Sequence, residues 1–550
     1  MSPIRKKGGE ARPNRDREEA AMNPTSSDSV YTNANSALAK AVSLHLEGRS
    51  KEALKELDRA LEAGDRSREI YSARGHIQFE LEMFDDAAKS YASLVELDPK
   101  SVSGVFNLGV CQEKLGRWAD AVESFRRTLE LDAERLDARL GLGICLLHLK
   151  QPEPALECFE ACLGKTSNPE TPLFGKAVAL ELLNRYDEAV QHYEQLLAKN
   201  PQAEEPMANL IHIGMVRGNQ DMVRKYAEQL LTLRPFSQAA LEGLAWSAFS
   251  LEDYEAAAKY CAKLVELTPE HFERWYNLGV AHQKTNHLEQ AEKAYVEASR
   301  LRPDHAQALA NLGMVRQALG NAKGSREAYE QALKLKADLP EVLSNLAAVL
   351  EEQGQKADAE NLYARLLEQK PEWEDSWFRL GFLQLERGDA RAAASAFEQC
   401  VQRRPAWAEA WINLGLCQRQ MGDAERATEA FQKALEHNAE SVEALRGLAA
   451  IAIEREDHGK ALELQGRLID LGERSPELFY NTGLLLQKQG HVEDAVKLYR
   501  EALGVRPNFP EALLNLGHAL KSQGRTDEAR ACWRQALEMK PELAQGYFGD

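Results

Sequence analysis

Residues 374–407 read EDSWFRLGFLQLERGDARAAASAFEQCVQRRPAW, and the next 34, residues 408–441, read AEAWINLGLCQRQMGDAERATEAFQKALEHNAES. Laid one above the other they put Trp377 over Trp411, Gly381 over Gly415, Ala393 over Ala427 and Phe397 over Phe431. The same phase runs outward in both directions, without insertion or deletion, from residue 34 to residue 543: 15 units of 34 residues. With each unit numbered 1 to 34, position 8 is Gly or Ala everywhere except Ile211, and position 20 is Ala in 13 of 15 units, Val223 and Ser325 being the exceptions. Position 24 is mostly aromatic (Tyr91, Phe125, Phe159, Tyr193, Tyr295 and onward), and position 32 is Pro in nine units.

Within a unit, apolar residues recur at 4, 7 and 11 and again at 20, 24 and 27. That is the spacing of one amphipathic helix face, twice, so each unit predicts a helical hairpin. Small residues at 8 and 20 let the two backbones approach where the helices cross, and large ones at 4 and 24 fill the space on either side. Gly after the first helix, as at Gly116 and Gly524, suits a left-handed residue, while Pro at 32 stops the second helix. A single hairpin cannot cover both its apolar faces. The units must therefore stack, and 550 residues need no division into separate globular cores. The expected fold class is all-α.

This pattern resembles the tetratricopeptide repeat family over residues 34–543. The resemblance implies a right-handed superhelical solenoid of antiparallel helix hairpins whose first helices line a concave groove. It also implies a scaffold or adaptor that holds an extended segment of another protein there, rather than an enzyme. Position 6 faces the groove in the family, and here it is Asn in eight units: Asn107, Asn209, Asn277, Asn311, Asn345, Asn413, Asn481 and Asn515. Each amide offers a donor and an acceptor, so a column of them can pair with a ligand's backbone whatever its sequence. The column is similar to the asparagine ladder of O-linked N-acetylglucosamine transferases, which supplies a second reading, the substrate-recognition arm of a glycosyltransferase-type system. Self-assembly into homo-oligomers through an uncovered terminal face is a third. Beside the column, Phe378, Phe382, Ile412 and Leu416 at positions 5 and 9, next to Arg379, form either an apolar pocket in the groove or a layer beneath the next helix. Position 2 is acidic in ten units, which matches helix N-termini and would give the groove an acidic rim.

A net charge of −18 repels phosphate backbones and speaks against nucleic acid as the main partner. No apolar run approaches the roughly 20 residues that span a bilayer, and no apolar stretch follows the early basic residues, so cytoplasm is the expected compartment. Residues 1–33 read as a disordered tail and residues 544–550 as a short one, in which Tyr547 and Phe548 would fold back as a cap. The eight cysteines lack CxxC spacing and fall mostly in helix-packing slots, Cys158 and Cys162 among them, so free thiols are expected. No cofactor or metal is expected. Gly320 to Ser325 lacks the Gly-Lys-Ser/Thr ending of a phosphate loop, and His271, His282, His287 and His305 show no i, i+4 pair.

Overall fold

The computed structural model describes residues 31–544, with side chains from Ala37 onward. These residues form thirty α-helices, from α1 (Tyr31–Leu46) to α30 (Thr526–Met539), closed by a 3-10 turn at Pro541–Leu543; no strand occurs among the described residues. The tail readings for residues 1–30 and 545–550, Tyr547 and Phe548 included, lie outside them. The chain divides into two compact units, one ending at Ala281 and one beginning at His282.

After α1, first helices start at position 1 of each repeat, as in α3 (Arg68–Glu80), α5 (Val102–Lys114) and α7 (Leu136–His148), and second helices near position 17, as in α4 (Phe84–Leu97), α6 (Trp118–Leu131) and α8 (Pro152–Cys162). Position 15 separates the two and is left-handed in all 15 repeats: nine are Gly, and Glu82, Lys150, Asn184, Glu252, Asn286 and Glu456 take φ of 57–59°. A Cβ in that region clashes with the following carbonyl, at a cost of roughly 1–2 kcal/mol that Asn partly escapes. Lys150→Gly and Glu252→Gly should therefore stabilise their hairpins by about 0.5–1 kcal/mol after the extra chain entropy of glycine is subtracted, measured as slower amide exchange in the flanking helices.

Position 16 then caps the second helix: the side chains of Asn219, Asp253, Asn321, Asp389, Asp423 and Asp457 each accept the backbone N–H three residues on. The proline turn is tied to the following repeat by tryptophan. Trp275, Trp377 and Trp411 donate Nε1–H to the carbonyls of Pro269, Pro371 and Pro405 at 2.8, 2.9 and 2.7 Å.

The core is the row of position-24 rings. Tyr193, Tyr295, Tyr329, Tyr499, Phe125, Phe159, Phe397 and Phe431 are fully buried against the alanines of position 20. Four repeats carry no ring there, and the one at 204–237 compensates. At 204–237 position 8 carries Ile211 while position 24 shrinks to Ala227; both are buried, and the methyls of Ile211 and Val223 occupy the room an aromatic ring fills elsewhere. At residues 442–475 the slot holds Gln465, which is 3% exposed and lies 3.1 Å from the Thr482 hydroxyl. Within each compact unit second helices pack between the first helices of their own and the next repeat, as α6 does between α5 and α7, and first helices of neighbouring repeats touch, as α5 does α7. First-helix side chains thus share one face.

Candidate functional site

The shared face is built from positions 5, 6, 9 and 12 of the first helices. What position 6 does depends on the ring at position 24 of the preceding repeat. Asn209 donates Nδ2–H to Tyr193 Oη at 2.8 Å, and Asn311 does the same to Tyr295 at 3.2 Å. Asn107 and Asn345 stand beside the phenols of Tyr91 and Tyr329, and Arg379 beside that of Tyr363. Most of these phenols in turn donate to position 12 of their own first helix: Tyr193 to Glu181 at 2.9 Å, Tyr295 to Gln283 at 2.7 Å, Tyr329 to Gln317 at 3.0 Å. Burial pushes the phenols of Tyr91, Tyr193, Tyr329 and Tyr363 upward, Tyr329 to about 12, so these are protonated at any ordinary pH.

Phenylalanine has no hydroxyl to satisfy, and above it the asparagine disappears. Gly141, Gly175 and Gly447 follow Phe125, Phe159 and Phe431, and a Cβ on them would stand 2.7, 2.5 and 2.5 Å from the rings. Asn413, above Phe397, is the exception; its Nδ2–H turns back to the Glu409 carbonyl at 2.9 Å. Asn515 donates to Tyr480 Oη at 3.0 Å and to the Glu511 carbonyl at 3.1 Å. Asn277 is exposed above Cys261, and Asn481 half-buried above Gln465. The eight asparagines are therefore not one uniform column. At Asn209 and Asn311 the amide donor clasps the tyrosine beneath and locks one repeat to the next, whereas Asn515 bypasses Tyr499 for Tyr480.

The apolar group divides similarly. Phe378 stacks on Trp407 with centroids 4.6 Å apart and meets Phe397 edge-on at 5.5 Å, inside the array. Phe382, on α21 (Glu374–Glu386), and Leu416, on α23 (Ala408–Gln420), keep 39% and 40% of their surface exposed on helices that touch. Between them sit half-exposed Arg379, whose Nη2 is 2.6 Å from Glu351 Oε1, and Asn413.

Five family models, all described as tetratricopeptide repeat, match residues 72–134, 113–170, 173–207, 224–271, 248–313, 316–380, 375–406, 408–441 and 480–544. The chain belongs to the tetratricopeptide repeat family. No curated protein matches it significantly. Among solved structures it is similar to YrrB, described as a TPR protein with an unusual peptide-binding site (24% identity, 34% of this chain and 98% of that one, TM-score 0.33). Cut9 in the APC/C hetero-tetramer Cut9–Hcn1 (14%, 82% and 96%, 0.32) and the Naa15/Naa10 complex bound to HypK-THB (13%, 93% and 94%, 0.31) are similar over greater lengths.

In this tetratricopeptide array the acids of position 2 are engaged where their contacts are seen: Glu477 with Arg506 at 2.6 Å and Glu511 with Lys540 at 2.7 Å, each closing its own repeat. Lys540 holds the Glu511 carboxyl below the usual range; for Glu477 its own backbone N–H does so first, then Arg506. All eight cysteines are free thiols, and burial pushes them up, Cys111 to about 12, which leaves them unreactive. No described helix is long and apolar enough to cross a membrane.

Sequence reading missed one recurrent contact, between position 12 and position 9 of the next repeat, 31 residues apart. There His212 Nδ1 lies 2.8 Å from Glu181 Oε1, and the carboxylate raises the imidazole above its ordinary 6.5. A raised native pKa favours the protonated fold, so this stabilisation is complete below pH 6.5 and is lost as pH rises through the native value. Glu181→Gln should bring the His212 titration, followed by NMR, back down; an unmoved midpoint contradicts the pairing.

Proposed function

We propose that this protein is a non-catalytic cytoplasmic scaffold that grips an extended segment of another protein along the groove formed by its first helices. The observation that supports it is the pair Phe382 and Leu416, each about two-fifths exposed at the same position of adjacent first helices, flanked by Arg379 and Asn413. Large apolar side chains set side by side at a surface anchor a partner's aliphatic or aromatic side chain, because both partners lose apolar area to water there. Asn413 supplies an amide for the ligand's backbone, and Arg379 a guanidinium for a carbonyl or carboxylate. Asn481 carries the amide row beyond the pocket, and Asn345 and Asn515 take part through their amide oxygens; Asn107, Asn209 and Asn277 offer amides on first helices of the other compact unit, whereas Asn311 is buried with its Oδ1 accepting from Gln307 Nε2.

Selection of peptides from a random library on the full chain tests this reading. Selected peptides are expected to carry a large apolar residue and to lose at least tenfold in affinity, about 1.4 kcal/mol, with Phe382→Ser/Leu416→Ser or with Asn345, Asn413 and Asn481 all changed to Ala. Peptides that bind these variants as tightly as the parent would refute the site, and sedimentation that rises with concentration would point to self-association instead.

A further inference from the structure

The contact between position 12 and the next position 9 recurs in the first two repeats with a third member. His45, at position 12 in the last turn of α1, and His76, at position 9 on α3, both face Glu80, one turn beyond His76. His45 Nε2 lies 3.1 Å from Glu80 Oε2, and His76 Nε2 lies 3.4 Å from Glu80 Oε1. All three donor atoms fall within 4.8 Å of one another, and the imidazole rings meet edge-on at 6.1 Å.

A tetrahedral ion with ligands at about 2.0–2.1 Å spaces its donors roughly 3.3–3.4 Å apart. Each imidazole already stands at that spacing from one oxygen of the Glu80 carboxylate, and one donor atom from each of the three residues falls within 4.8 Å of the others, so side-chain rotation has to close little more than an ångström. The second shell is present as well. His45 Nδ1 is 3.0 Å from Ser50 Oγ; in the tautomer that leaves the Nε2 lone pair for an ion, Nδ1–H donates to that hydroxyl oxygen. Two imidazoles and one carboxylate are the donors of a borderline transition ion rather than of Mg2+ or Ca2+, which prefer oxygen throughout. The His45 side chain is 19% exposed and that of Glu80 42%, so an ion here has protein on one side and water at its fourth position.

We propose that His45, His76 and Glu80 bind a divalent transition-metal ion of the Zn2+ class and thereby clamp α1 onto α3. The ligands come from consecutive repeats, so the free energy of binding works directly on the docking of α1 against α3.

The test is titration of the full chain with Zn2+ against a chromophoric chelator, alongside His76→Gln, Glu80→Gln and, as a control elsewhere, His305→Gln. One Zn2+ per chain is expected in the parent and in the control and none of comparable affinity in the other two, with helical circular dichroism unchanged and Mg2+ unable to compete. At Zn2+ ten times above Kd, amide exchange through separation of α1 from α3 should slow about tenfold in the parent alone. A readout free of variants is the imidazole NMR spectrum of the parent, in which His45 and His76 alone should shift on the first equivalent. Equal zinc affinity in the parent and His76→Gln, absence of zinc binding at micromolar concentrations, or shifts confined to other histidines would overturn the site.

Discussion

Phe159→Ala is expected to lower the local stability of α8 and α9 (Glu170–Leu182) by about 3–5 kcal/mol, the range for emptying a buried aromatic site. The ring is 0% exposed and fills the space between two glycines: a Cβ on Gly143 would sit 2.9 Å from it and one on Gly175 2.5 Å. Backbone, not side chain, bounds the hole on both sides. No neighbour can swing in to fill it, so the cavity closes only if first helices shift, which puts the cost at the upper part of the range. Array unfolding need not be two-state, so the readout is residue-level amide exchange. Protection in α8 and α9 should fall by about 10²–10³-fold or more, fading within a repeat or two on either side. Loss spread evenly along the array, or none in α8, would contradict this account.

Gly447→Ala inverts an ordinary rule. Within a helix, Gly to Ala normally stabilises by about 1 kcal/mol, and Gly466→Ala should do so, since a Cβ at Gly466 meets nothing within 4 Å. A Cβ at Gly447 would meet the Phe431 ring at 2.5 Å, and Phe431 is fully buried. Overpacking of that kind costs about 1–3 kcal/mol. Combining Gly447→Ala with Phe431→Leu should recover part of the loss, because the smaller side chain vacates the contact. Additivity between the two changes, measured by the same exchange experiment, would show that ring and backbone do not press on one another.

The two predictions concern one relation that was half legible. Asparagines at position 6 stand out in the sequence, and so do the glycines that interrupt them. Their meaning lies 16 residues earlier, in whether position 24 carries a hydroxyl. Tyr193 and Asn209 form a hydrogen-bonded pair, whereas Phe159 and Gly175 form a close ring-to-backbone contact. The same holds for Phe378 and Phe382, four residues apart and alike in type. One lies under Trp407 and against Phe397 and the other is open to water, because the second helix of the repeat and the turn after it cover only one side of the first helix.

What the sequence determined by itself is everything governed by contacts within one hairpin: the 34-residue period, both helices, the left-handed residue at position 15 and the small residues at 8 and 20. Those features follow from i, i+4 hydrogen bonding, from the helical period of apolar residues and from the steric demand of a single Cβ, all of which act over a few residues of chain. The tertiary structure decided what depends on the register of one repeat against the next. It separated clasped asparagines from exposed ones, tied Glu477 and Glu511 to their own repeats, and gathered His45, His76 and Glu80 from two helices. Stacking sets these distances across 16 or 31 residues, and no local preference encodes which side chain will be waiting there.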